Sequence, residues 1–230
     1  LPWISLFVIV SFVVGLMLGK LLGIHHRVTF LLSSGAAICG GTAMAAVAPI
    51  IKAKPQELLI AMTIVFLLNA AAIIIFPIMG NYLAMNNFEF GAWSALAIHD
   101  TSSVIGSALI FSNESAQVAA TLKLGRTIWL IPLILIANWM FNKQTQVTKF
   151  PRFILFFILA IICNTLFAFN EQAINLLQIS SQAFLLFGLF CIGSQFDFIE
   201  LKSISGKPLI LALMLWAIVI PSAYFLVKYF

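Results

Sequence analysis

Residues 91–132 form an apolar stretch that nonetheless contains His99, Asp100, Lys123 and Arg126. Charge at the centre of a bilayer is expensive, on the order of 3 kcal/mol or more per group. A chain that places four ionisable groups there is therefore restricted to folds in which they face a bundle interior or a water-filled cavity. The constraint is sharp because charge is scarce elsewhere: charged residues make up 8% of the 230, hydrophobic residues 63%, and mean hydropathy is +1.13. Soluble domains use roughly half apolar residues. Lipid offers the backbone no hydrogen-bond partners, so long apolar runs of this kind read as spanning helices. The expectation is an all-α polytopic membrane protein.

The same composition excludes other classes. A net charge of +5 is compatible with nucleic acid, but the basic residues sit singly between apolar runs and form no stripe. No nucleic-acid partner is expected. Cys39, Cys163 and Cys191 all lie in apolar segments, without the spacing of a disulfide framework or a metal site. No pattern of nucleophile and base, zinc motif or paired helical aspartates is present, so the chain is expected to be no enzyme and to need neither metal nor cofactor. It opens at Leu1-Pro2-Trp3 without an initiator Met or signal-peptide pattern. That opening is read as a single transmembrane domain over 1–230 that lacks upstream spans.

About 20 mostly apolar residues are needed to cross a bilayer. Full spans are accordingly expected over 3–22, 58–83, 117–141, 153–169, 174–196 and 208–230. Two further stretches, 33–51 and 91–111, are shorter and rich in Gly, Ala, Ser and Thr. They are interrupted by Gly40-Gly41 and by His99-Asp100-Thr101-Ser102-Ser103. These are expected to be discontinuous or re-entrant helices facing inward, where protein or water satisfies the freed backbone. If both return to the side they enter from, every basic loop falls on one side and the loops near Glu89, Glu114 and Glu171 fall on the other. The positive-inside rule favours that threading over complete crossing.

An internal repeat supports the pairing of the two stretches. Ala37-Ile38-Cys39-Gly40-Gly41-Thr42 lies over Ala97-Ile98-His99-Asp100-Thr101-Ser102 without a gap, and 57–61 then falls on 117–121. Each unit, 33–83 and 91–141, reads as a broken element, a polar loop and a full helix closing at Pro77 or Pro132. Two such units on opposite sides would make an inverted-repeat transporter fold, in which half-helix N-termini offer N–H groups to an anion. Gly40, Gly41, Thr42, Thr101, Ser102 and Ser103 are the substrate-facing candidates. Close packing of small residues between membrane helices is the competing explanation.

His99 and Asp100 are adjacent and would diverge on a regular helix, whereas a break between them allows one cavity to hold both. They are the candidates for coupling to a proton or cation, and His99 is also a substrate candidate. Asp100 additionally suits an N-cap, with hydroxyls following it. Lys123 and Arg126 share a helix face and are candidates to attract an anion, with Asp100 the one carboxylate deep enough to compensate Arg126. Asn69 and Asn138 are expected to hydrogen-bond across the bundle, and Glu57 to favour the start of its helix.

In the runs 34–53, Ala97-Ile98-His99-Asp100 and Lys123-Leu124-Gly125-Arg126 ahead of Pro132, the chain resembles the YeiH-like conserved hypothetical integral membrane proteins of the UPF0324 family, whose working name is sulfate exporter. The resemblance runs along the chain. It implies a bacterial inner (plasma) membrane location and kinship with cation:anion antiporters and bile-acid-type symporters, whose discontinuous helices cross the membrane completely. Ser103 departs from the family pattern, which has a Gln after the His–acid pair. The resulting expectation is a secondary transporter of a small anion, such as sulfate or an organosulfonate, coupled to a proton or cation. The alternatives are a cation:proton antiporter using Asp100 and an intramembrane protein with no transport role. Association into a homo-oligomer is left open.

Overall fold

A computed structural model describes residues 2–141 and 206–229, with scattered helical positions between 159 and 187. The chain divides into two compact units, one of Leu1–Lys143 with Phe196–Phe230 and a smaller one of Gln144–Gln195. Every regular element among the described residues is helical. The larger unit contains α1 (Pro2–Leu21), α2 (His26–Ala37), α3 (Gly41–Val47), α4 (Pro55–Tyr82), α5 (Asn87–Ala97), α6 (Thr101–Phe111), α7 (Asn113–Thr127), α8 (Leu130–Phe141) and α9 (Gly206–Tyr229).

Among the described residues, four stretches are long and apolar enough to cross a membrane: Trp3–Leu21, Pro55–Tyr82, Asn113–Phe141 and Gly206–Tyr229. They coincide with the spans expected over 3–22, 58–83, 117–141 and 208–230. The spans expected over 153–169 and 174–196 lie largely outside the described residues. The third crossing is not one smooth helix. It starts at Asn113, where the Ser112 hydroxyl accepts from the Ser115 N–H at 3.0 Å, and is interrupted between Thr127 and Leu130. The two prolines do not close their helices as expected. Pro77 lies inside α4, and Pro132 in the first turn of α8, where its missing N–H would have no intrahelical partner in any case.

The two interrupted stretches are helical hairpins that return to the end of the bundle they came from. At one end, the Asn87 side chain donates to Glu114 at 2.8 Å, and the Ser115 hydroxyl donates to the Asn87 carbonyl at 2.8 Å. The start of α5 therefore sits beside the start of α7. Phe90 and Phe111 stack with ring centroids 4.1 Å apart, which closes the mouth of the α5–α6 hairpin. Each arm has 11 residues, or about 16 Å at helical rise, which is half a bilayer core. At the opposite end, His25 pairs with Glu57 at 3.2 Å, so α2 and α4 start together. The α2–α3 pair folds back within that half, and Gly35 lets Met44 pack against α2. Complete crossing, the geometry implied by the family resemblance, is thus not what this chain adopts.

Packing enforces the arrangement. Gly15 and Gly19 of α1 leave room for Ser33 and Thr29 of α2, and a Cβ at either would lie within 2.5 Å of a side-chain atom. Gly91 does the same between α5 and α7, where a Cβ would come 2.6 Å from the Ser115 carbonyl oxygen. Trp93 is fully buried, stacks on Phe76 at 4.5 Å and donates its indole N–H to the Ile220 carbonyl of α9 at 3.1 Å. At the bundle ends, most of the described charged residues sort by sign, the exceptions being Glu57, which pairs with His25 at the basic end, and Lys228, which pairs with Glu89 at the other. Lys20, Arg27, Lys52 and Lys54 flank the end where α2 and α4 begin, whereas Glu89 and Glu114 lie where α5 and α7 begin.

Candidate functional site

The hairpin tips meet. Between α2 and α3 the chain passes through Ile38, Cys39 and Gly40; between α5 and α6 it passes through Ile98, His99 and Asp100. The two breaks fall on the equivalent residues of the gapless overlay. Gly40 has φ 64 and ψ −126, a conformation that only glycine adopts readily. A Cβ on Gly40 would stand 3.0 Å from Asp100 Cα. Glycine is required here twice over, for the backbone angle and for the contact between the tips.

Asp100 is the N-cap of α6. Its Oδ2 accepts from the N–H groups of Ser102 at 3.1 Å and Ser103 at 3.2 Å, and from the Ser103 hydroxyl at 3.4 Å. The carboxylate thus answers the unpaired donors of a helix start. The His99 N–H, freed by the break, donates to Asn69 Oδ1 of α4 at 3.2 Å. His99 and Asn69 are each 1% exposed, and His99 Nδ1 and Asn69 Nδ2 have no hydrogen-bond partner among the described residues. The tip region is therefore polar, buried and incompletely satisfied.

Lys123 and Arg126 sit at the C-terminal ends of the first arms, beside the tips, and both are fully buried. Arg126 donates from Nε to the Ala37 carbonyl at 2.7 Å and from Nη2 to Ala36 at 2.7 Å. Its Nη1 donates to Leu96 at 2.7 Å and Ala95 at 3.1 Å. One guanidinium thereby ties the C-terminal end of α2 to the C-terminal end of α5. Lys123 Nζ adds bonds to Ile98 at 2.7 Å and Ala95 at 3.3 Å. A helix end leaves its last carbonyls unpaired and carries partial negative charge, so cations are the appropriate partners. Phe7 of α1 covers the guanidinium at 5.9 Å.

Of the candidates read from sequence, the fold brings Gly40, His99 and Asp100 into one place, with Gly41, Thr42, Thr101, Ser102 and Ser103 beginning the second arms. Thr42 is exposed, Thr101 and Ser102 are half-buried, and Ser103 is buried. Arg126 is not compensated by Asp100. Among the described residues the ion pairs are His25–Glu57 and Lys228–Glu89, both at the bundle ends. Backbone carbonyls take the place of the expected carboxylate, because two helix C-termini converge where no acidic side chain is needed. Sequence reading passed over Ala36, Ala37, Ala95 and Leu96 as ligands of the cations, since a carbonyl has no residue signature. The sole hint was that alanines end both first arms. Asn69 of α4 does hydrogen-bond across the bundle as expected, and its donor is the His99 N–H at the break.

Taken together, the spanning helices and the two half-bilayer hairpins define an all-helical polytopic membrane protein with a broken-helix centre. The family described as conserved hypothetical protein 698 matches residues 3–212, and the chain belongs to it. Similar relatives are the UPF0324 membrane proteins of Bacteroides thetaiotaomicron, 38% identical over 93% of this chain and 66% of the relative, and of Vibrio vulnificus, 40% identical over 91% and 69%. The Porphyromonas gingivalis UPF0324 membrane protein is 40% identical over 93% of this chain and 67% of its own length. The chain thus spans about two thirds of the length of these curated relatives. No solved structure matches it.

Proposed function

We propose that this is a secondary transporter of the bacterial inner membrane, moving a small anion such as sulfate or an organosulfonate in exchange or together with a coupling ion. The observation that carries the reading is the meeting of the hairpin tips, Gly40 against Asp100, halfway through the bundle. Helices broken at mid-depth cost backbone hydrogen bonds, and membrane proteins keep such breaks where a cavity or ligand uses them. Here the C-terminal ends of the first arms are neutralised by fixed cations, while the second arms begin at the accessible Thr42, Thr101 and Ser102. The central charges are Lys123 and Arg126 against Asp100, an excess that favours an anion. The cations contribute field rather than contact, because their donors are engaged with carbonyls. Viewing 33–83 and 91–141 as inverted repeats accounts for hairpins entering from opposite ends, and the basic end then faces the cytoplasm.

A second reading, cation:proton antiport through Asp100, draws on one observation. Among the described residues, every hydrogen bond to the Asp100 carboxylate falls on Oδ2. Oδ1 remains for a cation or proton. Thermal unfolding of the purified protein with sulfate, sulfonates, carboxylates, Na+ and Li+, at two pH values and with Asp100→Asn as control, separates the readings. Stabilisation by sulfate or a sulfonate that survives in Asp100→Asn supports anion transport. Stabilisation by Na+ or Li+ alone, lost in Asp100→Asn, supports the antiporter. No shift with any ion argues against both.

A further inference from the structure

Lys123 has an unusual position for a titratable group. Its ammonium is fully buried and is held by two neutral acceptors, the carbonyls of Ile98 and Ala95. Among the described residues, the charged or titratable groups that face it are Arg126 on its own helix, Cys39 in the α2–α3 break, and His99 and Asp100 in the α5–α6 break. Asp100 is the acidic member, and it forms no ion pair with Lys123, being occupied with the N–H groups of α6. Two buried cations one helical turn apart therefore share one carboxylate that touches neither. Such an arrangement is relieved by loss of a proton, and a guanidinium does not give one up. Lysine does.

We infer that Lys123 is a proton-binding site whose charge state sets the hold on the C-terminal end of α5, and through it the placement of His99 and Asp100. Ile98 is the C-cap of α5 and the residue immediately before His99. Charge-assisted hydrogen bonds are about twice as strong as neutral ones, so the neutral amine grips Ile98 and Ala95 less firmly. Arg126 keeps α2 and α5 tied in both states, which confines the change to the tip. The use of this site for coupling rests on the transporter reading. An anion arriving between the tips favours the protonated lysine, and by linkage the protonated lysine favours the anion. A cation at Asp100 does the reverse. The same residue therefore gives anion–proton symport in one reading and cation:proton antiport in the other.

Amide hydrogen exchange of the purified full chain, followed on peptides covering residues 95–104 from mildly acidic to alkaline pH, tests the site without knowledge of the substrate. After correction for the intrinsic base-catalysed rate, protection in the wild type should fall in a one-proton step. A difference of one pKa unit between the held and released tip corresponds to about a tenfold loss of protection. The step should be absent in Lys123→Gln, with low protection throughout, and should persist in His99→Gln and Asp100→Asn. A wild type with no step overturns the inference even if every Lys123 variant fails to fold. So does a step that survives in Lys123→Gln or vanishes in Asp100→Asn. Sulfate-driven pH change in proteoliposomes tests the transporter reading separately: its absence beside a retained exchange step sinks that reading and leaves the proton site standing.

Discussion

At the scale of single residues, Arg126 is the most connected side chain of the centre, with four hydrogen bonds to backbone carbonyls of two different helices. Each carbonyl left unpaired on its removal costs about 1–3 kcal/mol, so Arg126→Met should sharply lower the thermal midpoint in detergent. Arg126→Lys should recover little of the loss, because an ammonium cannot reproduce the planar fork that spans α2 and α5. A midpoint for Arg126→Lys within a degree or so of wild type would show that charge alone suffices. Gly40→Ala is a second residue-scale prediction. Its backbone conformation costs a non-glycine residue about 1–3 kcal/mol, and the added methyl presses on Asp100. The variant should melt lower, and exchange protection at the tips should fall with it. His99 and Asp100 could be singled out by their presence in an apolar stretch. The ligands of Arg126 could not, because every residue has a carbonyl and only proximity selects four of them.

At the scale of elements, the helix starts are written into the chain and the helix pairings are not. Asn86 caps α5 by accepting from the Glu89 N–H at 2.8 Å, and Glu89 returns the bond from the Asn86 N–H at 3.0 Å. The same reciprocal pattern is partly seen where the Lys54 N–H donates to Glu57 at 2.8 Å at the start of α4. The Asn86 N–H, and then Lys228, hold the Glu89 carboxyl below the ordinary carboxylate range. A depressed carboxylate contributes stability that is fully present above its ordinary value and is lost as pH falls through its folded value. Acid should therefore loosen the mouth of the α5–α6 hairpin, and Glu89→Gln should flatten that acidic limb of the stability curve without changing the neutral-pH fold. An unchanged acid limb in Glu89→Gln would assign it to other groups. Capping residues of this kind are legible because they act within a few positions of one another. The interruption between α7 and α8 was missed because the residues around it, Ile128 and Trp129, are ordinary members of an apolar run.

At the scale of the molecule, the prediction concerns topology. The loop holding Lys54 should lie on one face of the membrane, and Asn87 and Glu114 together on the other. In a background with Cys39, Cys163 and Cys191 replaced, single cysteines at these three positions can be labelled with an impermeant maleimide in vesicles of known orientation. Cysteines at 87 and 114 that react from opposite faces would mean that α5 and α6 cross completely. The distribution of charge already favoured returning hairpins, since they alone collect the basic loops on one side. The family likeness favoured crossing. Contacts between Asn87, Glu114 and Ser115, made 27 and 28 residues apart in sequence, settle the course of the chain in this structure.

The sequence by itself determined that the protein is a helical membrane protein, where its described spanning helices lie, and where its two breaks fall. Those properties follow from local hydropathy, from glycine, and from capping side chains, all of which act over a few residues. The tertiary structure alone decided that the breaks touch at Gly40 and Asp100, and that Lys123 and Arg126 serve the carbonyls of α2 and α5. Those outcomes depend on backbone groups common to every residue, and only the folded arrangement determines which of them meet.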